Sequence, residues 1–308
     1  MSDLVFECMN LSKFYKHSLA MNALTFSCKT GHIYGLVGAK GAGKTTLLQI
    51  ITGLSFFDSG DFSLFGTHAS QANLRAERRR IGALIDSPIF FDSMSGFQNL
   101  EYMRKLAGIS DKDVSKHMLS LFGLESKKEI KVRYYTLAMK QRLGIACAML
   151  SKPDFLVLDD PMNGLEPNEI TELCNILQDI NKEHNITMLI TTSHAEHLYP
   201  YASDYLFLQK GKILQELTHQ DLEQRCDSYI TIETEDMAKT IPVLEELLPN
   251  TKIEAFSDNE IRIYSFMGRI ERISSELQFR NLPAQKIEQI GLSVKDYLAH
   301  LTGGVHHA

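Results

Sequence analysis

The segment Gly38-Ala39-Lys40-Gly41-Ala42-Gly43-Lys44-Thr45-Thr46 constrains this chain more than any other. It fits the pattern G-x-x-x-x-G-K-[ST], and it lies between a short apolar run, Ile33 to Val37, and a segment of helical spacing. In that segment Leu47, Leu48, Ile50, Ile51 and Leu54 follow Lys44, and Gly53 suits the helix end. Glycines let a backbone wrap phosphates with its N–H groups aimed inward, and the start of the next helix adds partial positive charge. Lys44 brings an ammonium group to the phosphates, and the hydroxyl of Thr45 is a ligand for Mg²⁺. A merely flexible glycine turn would leave this strand-and-helix context unexplained.

The rest of the chain supplies a frame for that loop. Ile81 to Ile85, Phe155 to Leu158 and Thr187 to Thr192 read as further buried strands, and Tyr205 to Leu208 with Lys212 to Leu214 read as a hairpin turning at Lys210-Gly211. Strands alternating with helices predict an α/β domain over residues 1–218 built on a largely parallel sheet, a P-loop NTPase fold. Residues 98–150 are almost entirely helical in pattern, which predicts a helical subdomain of about 87–150 inserted between two strands. After residue 222 the rhythm changes to short strands and helices, with a last helix over Val294 to Leu301. Residues 222–308 therefore read as a small accessory α+β domain without a chemical motif.

Composition narrows the function. A net charge of −6 argues against nucleic acid as the main partner, which would favour a basic face. The N-terminus has no basic-then-apolar signal pattern, and no apolar run approaches the ~20 residues of a membrane helix, so any membrane part is expected in another chain. The five cysteines, Cys8, Cys28, Cys147, Cys174 and Cys226, are scattered and read as reduced core thiols.

A second chemical feature follows the helical block. Phe155-Leu156-Val157-Leu158-Asp159-Asp160 is an apolar strand running into two adjacent acids. Neighbouring residues of a strand point to opposite faces, so the two acids are expected to take different roles. Asp159 suits the Mg²⁺ shell, and Asp160 suits the attacking water. Alone, such an ending could be a solvated turn; with the phosphate loop upstream it reads as the hydrolytic end of a nucleotide site.

The order of these motifs resembles that of ABC transporter ATPases over about residues 4–218. The resemblance implies that Tyr15 stacks on adenine, that Asp86 stands at the glutamine loop, and that Thr136 and Ala138 belong to the signature stretch Tyr135 to Arg142. It likewise implies a D-loop at Asn163 to Pro167 and a γ-phosphate contact from His194. In that family two cassettes, the same chain or different ones, meet head to tail with ATP between one phosphate loop and the other's signature. The cassettes serve a separate transmembrane permease, which places the protein at the cytoplasmic face of the membrane. A cleft beside the helical block receives the permease, and Phe90, Phe91 and Met94 are expected to line it. The run Ile81-Gly82-Ala83-Leu84-Ile85-Asp86, the Leu137-Ala138-Met139-Lys140-Gln141-Arg142 signature and the tail Asp296 to Gly304 are similar to bacitracin- and lantibiotic-type peptide exporter ATPases. That likeness implies efflux of an antimicrobial or amphipathic peptide.

Departures from the family pattern bear on rate. Lys40 replaces an asparagine, Asp86 a glutamine, Thr136 a serine, Ala138 a glycine, Asp160 a glutamate and Glu166 an aspartate. Asp160 is one methylene shorter than glutamate, and base catalysis is sensitive to such distances. Slow but real hydrolysis is expected, with catalytic roles for Asp160, His194 and Asp86, and with Thr45, Asp86 and Asp159 around the metal. An ATP-gated switch with little turnover, or the motor of a non-peptide transporter, stays open on these residues alone.

Overall fold

The computed structural model describes residues 3–16, 18–225, 229–234, 236–248, 251–255, 257, 259–264, 270–280, 282 and 284–290. The chain divides into two compact units, Met1–His219 and Gln220–Ala308. The first opens with two long strands, β1 (Leu4–Tyr15) and β2 (Ser18–Lys29), before β3 (Ile33–Val37) runs into the glycine-rich loop and α1 (Lys44–Thr52). Strands β4 (Ser59–Leu64) and β5 (Thr67–His68), helix α2 (Leu74–Glu77) and strand β6 (Ile81–Leu84) follow. Three helices, α3 (Gly96–Leu106), α4 (Val114–Leu121) and α5 (Leu137–Met149), then intervene before β7 (Phe155–Leu158). The unit ends with α6 (Pro167–His184), β8 (Thr187–Thr192), α7 (Ala195–Leu198), β9 (Asp204–Gln209), β10 (Lys212–Thr218) and the start of α8 (His219–Arg225).

The expected largely parallel sheet is present, and a second sheet that the alternation of elements did not announce accompanies it. A six-stranded sheet of order β10-β9-β3-β8-β7-β6 is parallel except at its β10 edge, as expected, but a separate antiparallel sheet of order β2-β1-β4-β5 stands with it. The first two strands escaped a reading by alternation because their register shifts repeatedly, and Asn10 sits at φ 51° inside β1. Both sheets share one core, in which Phe6, Phe62, Leu36, Leu47, Leu48, Phe155 and Val157 are buried together. Burying one such side chain stabilises the unit by about 1.5–3 kcal/mol. The block between β6 and β7 is less helical than its pattern suggests, because residues 107–113 and 122–136 hold turns and short 3₁₀ segments.

Helix α1 is held at both ends. Gly53 closes it at φ 85° and donates back to Gln49 and Ile50, which is the left-handed cap glycine favours. The Arg78 guanidinium also reaches the last carbonyls, with Nε to Ile51 O and Nη2 to Ile50 O, both at 3.1 Å. A cation there complements the helix dipole whose positive end faces the glycine-rich loop.

The second unit runs β11 (Tyr229–Glu233), α9 (Met237–Leu247), β12 (Lys252–Ala255), β13 (Glu260–Tyr264), α10 (Ile270–Phe279) and β14 (Lys286–Ile290). Its sheet has the order β12-β13-β11-β14 and every pair is antiparallel, which with α9 and α10 makes a small α+β fold. Ile230, Ile232, Ile261 and Ile263 alternate onto the face that packs with Leu244, Ile273 and Leu277 from the helices. The expected helix over Val294 to Leu301, the tail Asp296 to Gly304 and Cys226 lie outside the described residues. The other four cysteines are free thiols, and burial pushes Cys8, Cys147 and Cys174 up to about 12.

Candidate active site

A cleft of about 750 Å³ opens over the glycine-rich loop. It lies where β3, β7 and β8 end, since parallel strands all deliver their carboxyl ends to the same edge of the sheet. Gly38 follows Val37 directly, and its N–H donates to Thr192 O at 3.1 Å, tying the loop to the end of β8. Two glycines are required by their surroundings. A Cβ on Gly43, which sits at φ 110°, would overlap the carbonyl oxygen of Ala20, and one on Gly38 would overlap that of Leu208. Ala39 and Lys40 are exposed at the tip, whereas Ala42 is buried beneath the loop.

Lys44 is only 8% exposed. Its ammonium group donates to Gly38 O and, at 3.1 Å, to Ala39 O, which holds it inside the loop it serves. Burial lowers the pKa of this lysine, and the nearby carboxylates of Asp160 and Asp159 oppose that shift. Thr45 and Thr46 line the same cleft. Thr45 Oγ1 donates to Asp159 Oδ2 at 2.7 Å, and Asp159 Oδ1 accepts from Thr191 Oγ1 at 2.6 Å. A hydroxyl and a carboxylate in contact at the end of a phosphate loop form the oxygen pair that a magnesium ion takes, so these residues fit that ion.

Strand alternation does not separate the two acids. Strand β7 stops at Leu158, Asp160 adopts a left-handed φ of 45°, and both carboxylates line the one cleft. What distinguishes them is their partners. Asp159 is bound by two threonine hydroxyls, while the described hydrogen bonds at Asp160 run only through its backbone, with its N–H donating to Thr191 Oγ1 at 2.9 Å. Burial pushes the Asp160 carboxyl above its ordinary value; Lys44 opposes this, Asp159 adds to it, and His194 and His197 oppose it. A carboxylate raised in this way is a better proton acceptor than one at the ordinary value.

The other expected residues are distributed unevenly. Asp86, at φ 59°, lines the cleft with Ser87. His194 stays near enough to act on Asp160 electrostatically, yet its side chain is 61% exposed, stacks on His197 at 5.2 Å and lies 3.4 Å from Glu196. It is not among the residues that form the cleft wall, where Ser193 stands instead. Tyr15 ends β1 away from the cleft lining, with its hydroxyl 3.3 Å from Ser55 Oγ. Thr136 caps α5, its hydroxyl accepting from Met139 N, and Ala138 is 4% exposed inside its own chain. From that stretch it is Leu137 and Gln141 that reach the cleft. Sequence reasoning also passed over Thr191, whose hydroxyl holds both acids; the only signal was a Thr-Thr pair closing a buried strand.

A family model described as "ABC transporter" matches residues 21–163. The bacitracin transport ATP-binding protein BcrA of Bacillus licheniformis is 31% identical over 300 residues, covering 97% of this chain and 98% of that protein. The lantibiotic transport ATP-binding protein SrtF of Streptococcus pyogenes is 32% identical over 230 residues, covering 73% of this chain and 96% of that protein. Among solved structures, the dimeric post-hydrolysis state of the ATP-binding cassette MJ0796 bound to ADP and Pi superposes with a TM-score of 0.63 at 20% identity, over 70% of this chain and 98% of that one. That likeness shows the fold.

Proposed function

The chain belongs to the ABC transporter family and is one of its ATP hydrolases, and from that premise we propose that it drives export of antimicrobial or amphipathic peptides through a separate membrane permease. The observation that carries the proposal is the extent of the match to BcrA. The alignment covers 97% of this chain and 98% of that protein, so it extends beyond the cassette into residues 220–308. The likeness is therefore not confined to the ATPase fold. No helix among the described residues is long and apolar enough to cross a membrane, and in this reading a partner supplies the path.

The loop amides of residues 38–46 and the Lys44 ammonium group hold the triphosphate. Thr45, Asp86 and Asp159 would hold Mg²⁺, which would supply charge neutralisation at the phosphates. Asp160 accepts a proton from the attacking water, which its burial-raised basicity suits. Tyr15 stacks on adenine and His194 contacts the γ-phosphate, while Thr136 and Ala138 serve the partner's nucleotide when two cassettes meet. The permease docks beside the loop after Asp86, at the cytoplasmic face of the membrane. Phe90 and Met94 are half-buried there and Phe91 is exposed, but the most exposed apolar side chain is Ile89, at 94%. The docking set is thus Ile89 and Phe91, joined by the half-buried Phe90 and Met94.

The test is transport. Inside-out vesicles carrying this chain and its permease should take up bacitracin or a lantibiotic when given MgATP, and vesicles with Lys44→Ala should not. ATP hydrolysis by the wild-type assembly without uptake of either peptide would overturn the peptide reading while leaving the ATPase intact.

A further inference from the structure

One buried polar group of the cleft wall stands apart from the phosphate loop and the two acids. Gln141 is 6% exposed, lines the cleft with Asp86, Asp159 and Asp160, and its Oε1 accepts no hydrogen bond from any described residue. Most buried polar groups are paired, so an exception at the wall of a working cleft calls for a ligand that pairs it.

Its place on α5 says which part of the cleft it serves. Residues 137, 141 and 144 are spaced at i, i+4 and i+7 and share one face of the helix. Leu137 Cδ2 lies 3.0 Å from where a Cβ of Gly164 would stand, so this face begins against the loop that follows Asp160. A Cβ on Gly144 would come within 2.9 Å of Pro88 Cβ, so the same face ends against the loop that follows Asp86. Gln141 sits between the two contacts, between the loops carrying the two acids.

The chemistry of the occupant then narrows. Phosphate oxygens are acceptors and cannot satisfy an amide oxygen, and the hydroxyls of Thr45 and Thr191 are already engaged, both donating to Asp159. Water is the donor that hydrolysis itself brings. We infer that Gln141 is the residue that holds the attacking water, its Oε1 accepting one hydrogen of that water while Asp160 accepts the other as a proton. The water oxygen forms the bond to the γ-phosphorus, the bond from phosphorus to the bridging oxygen breaks, and ADP leaves with that electron pair. The inference rests on ATP hydrolysis and is independent of which cargo is carried.

The experiment compares the purified full chain with Gln141→Leu, measuring turnover, MgATP affinity and thermal midpoint. An apolar side chain of similar size removes the unpaired oxygen, so the variant should melt at or above the wild-type temperature. Turnover should nevertheless fall about tenfold or more, the equivalent of one hydrogen bond lost in the transition state, with the Kd for MgATP within about twofold of wild type. Gln141→Met, unbranched like glutamine and lacking the acceptor, answers the same question should the leucine variant fail to fold. Unchanged turnover would overturn the inference. So would a loss of affinity equal to the loss of turnover, because Gln141 would then be positioning the nucleotide and not the water.

Discussion

Thr45 Oγ1 donates to Asp159 Oδ2 at 2.7 Å, joining the first turn of α1 to the end of β7 across 114 residues of sequence. The other oxygen of that carboxylate is held by Thr191, which also receives the N–H of Asp160. The ends of β7 and β8 and the start of α1 are thereby locked into one small polar cluster. Thr191→Val keeps the shape of this fully buried residue but strands Asp159 Oδ1 and the Asp160 N–H. We expect a loss of about 1–3 kcal/mol in unfolding free energy, read by urea denaturation. Turnover should fall about tenfold as the two acids lose their fixed positions.

Lys44→Ala removes a cation that the loop already holds through two of its own carbonyls. A charge-assisted contact is worth about 1.5–3 kcal/mol, so MgATP affinity should weaken roughly 10- to 100-fold. Titration with a fluorescent ATP analogue checks this. Affinity equal to wild type would remove Lys44 from the phosphate site.

The pH dependence follows from Asp160. A base works only when ionised, and burial raises this carboxyl above its ordinary value of 3.8. Turnover should therefore fall with decreasing pH through an acid limb lying above 3.8, and should be flat on the alkaline side of it. Asp160→Asn should abolish the limb and lower turnover by about 100-fold or more. A profile in which the limb persists in that variant would assign it to another group.

Ile89→Asp and Phe91→Asp test the permease contact without touching the cleft, since neither side chain lines it. Ile89, 94% exposed, can be replaced at a cost below about 0.5 kcal/mol, whereas Phe91→Asp also gives up an edge-on contact with Tyr102 worth about 0.5–1.5 kcal/mol. The isolated chain should keep its turnover within about twofold, and the double variant should no longer co-purify with its permease. Retained co-purification would move the contact elsewhere on the helical block.

The loop, the central strands and the paired acids were legible in the residues because each rests on local rules. Ile33–Val37, Phe155–Leu158 and Thr187–Thr192 are strands at the expected residues, since runs of apolar residues buried on both faces need no tertiary knowledge to be recognised. The antiparallel sheet of β1, β2, β4 and β5 was not legible. Its bulges break the alternation, and Ser12 and Ser63 are buried within it. Ile89 was passed over beside two larger phenylalanines, and side-chain size does not report which way a turn faces.

What the residues determined by themselves is the chemistry: a glycine loop that only glycine can build, a lysine at its end and a carboxylate pair after an apolar strand. These follow from the conformations and charges that individual residue types permit. Tertiary structure decided which groups meet. Thr191 reaches both acids, Asp160 turns left-handed into the cleft beside Asp159, and Gln141 is left buried with an unpaired oxygen between two loops. Those relations join segments that are far apart along the chain, and a contact of that kind depends on how strands and helices pack, which no local pattern encodes.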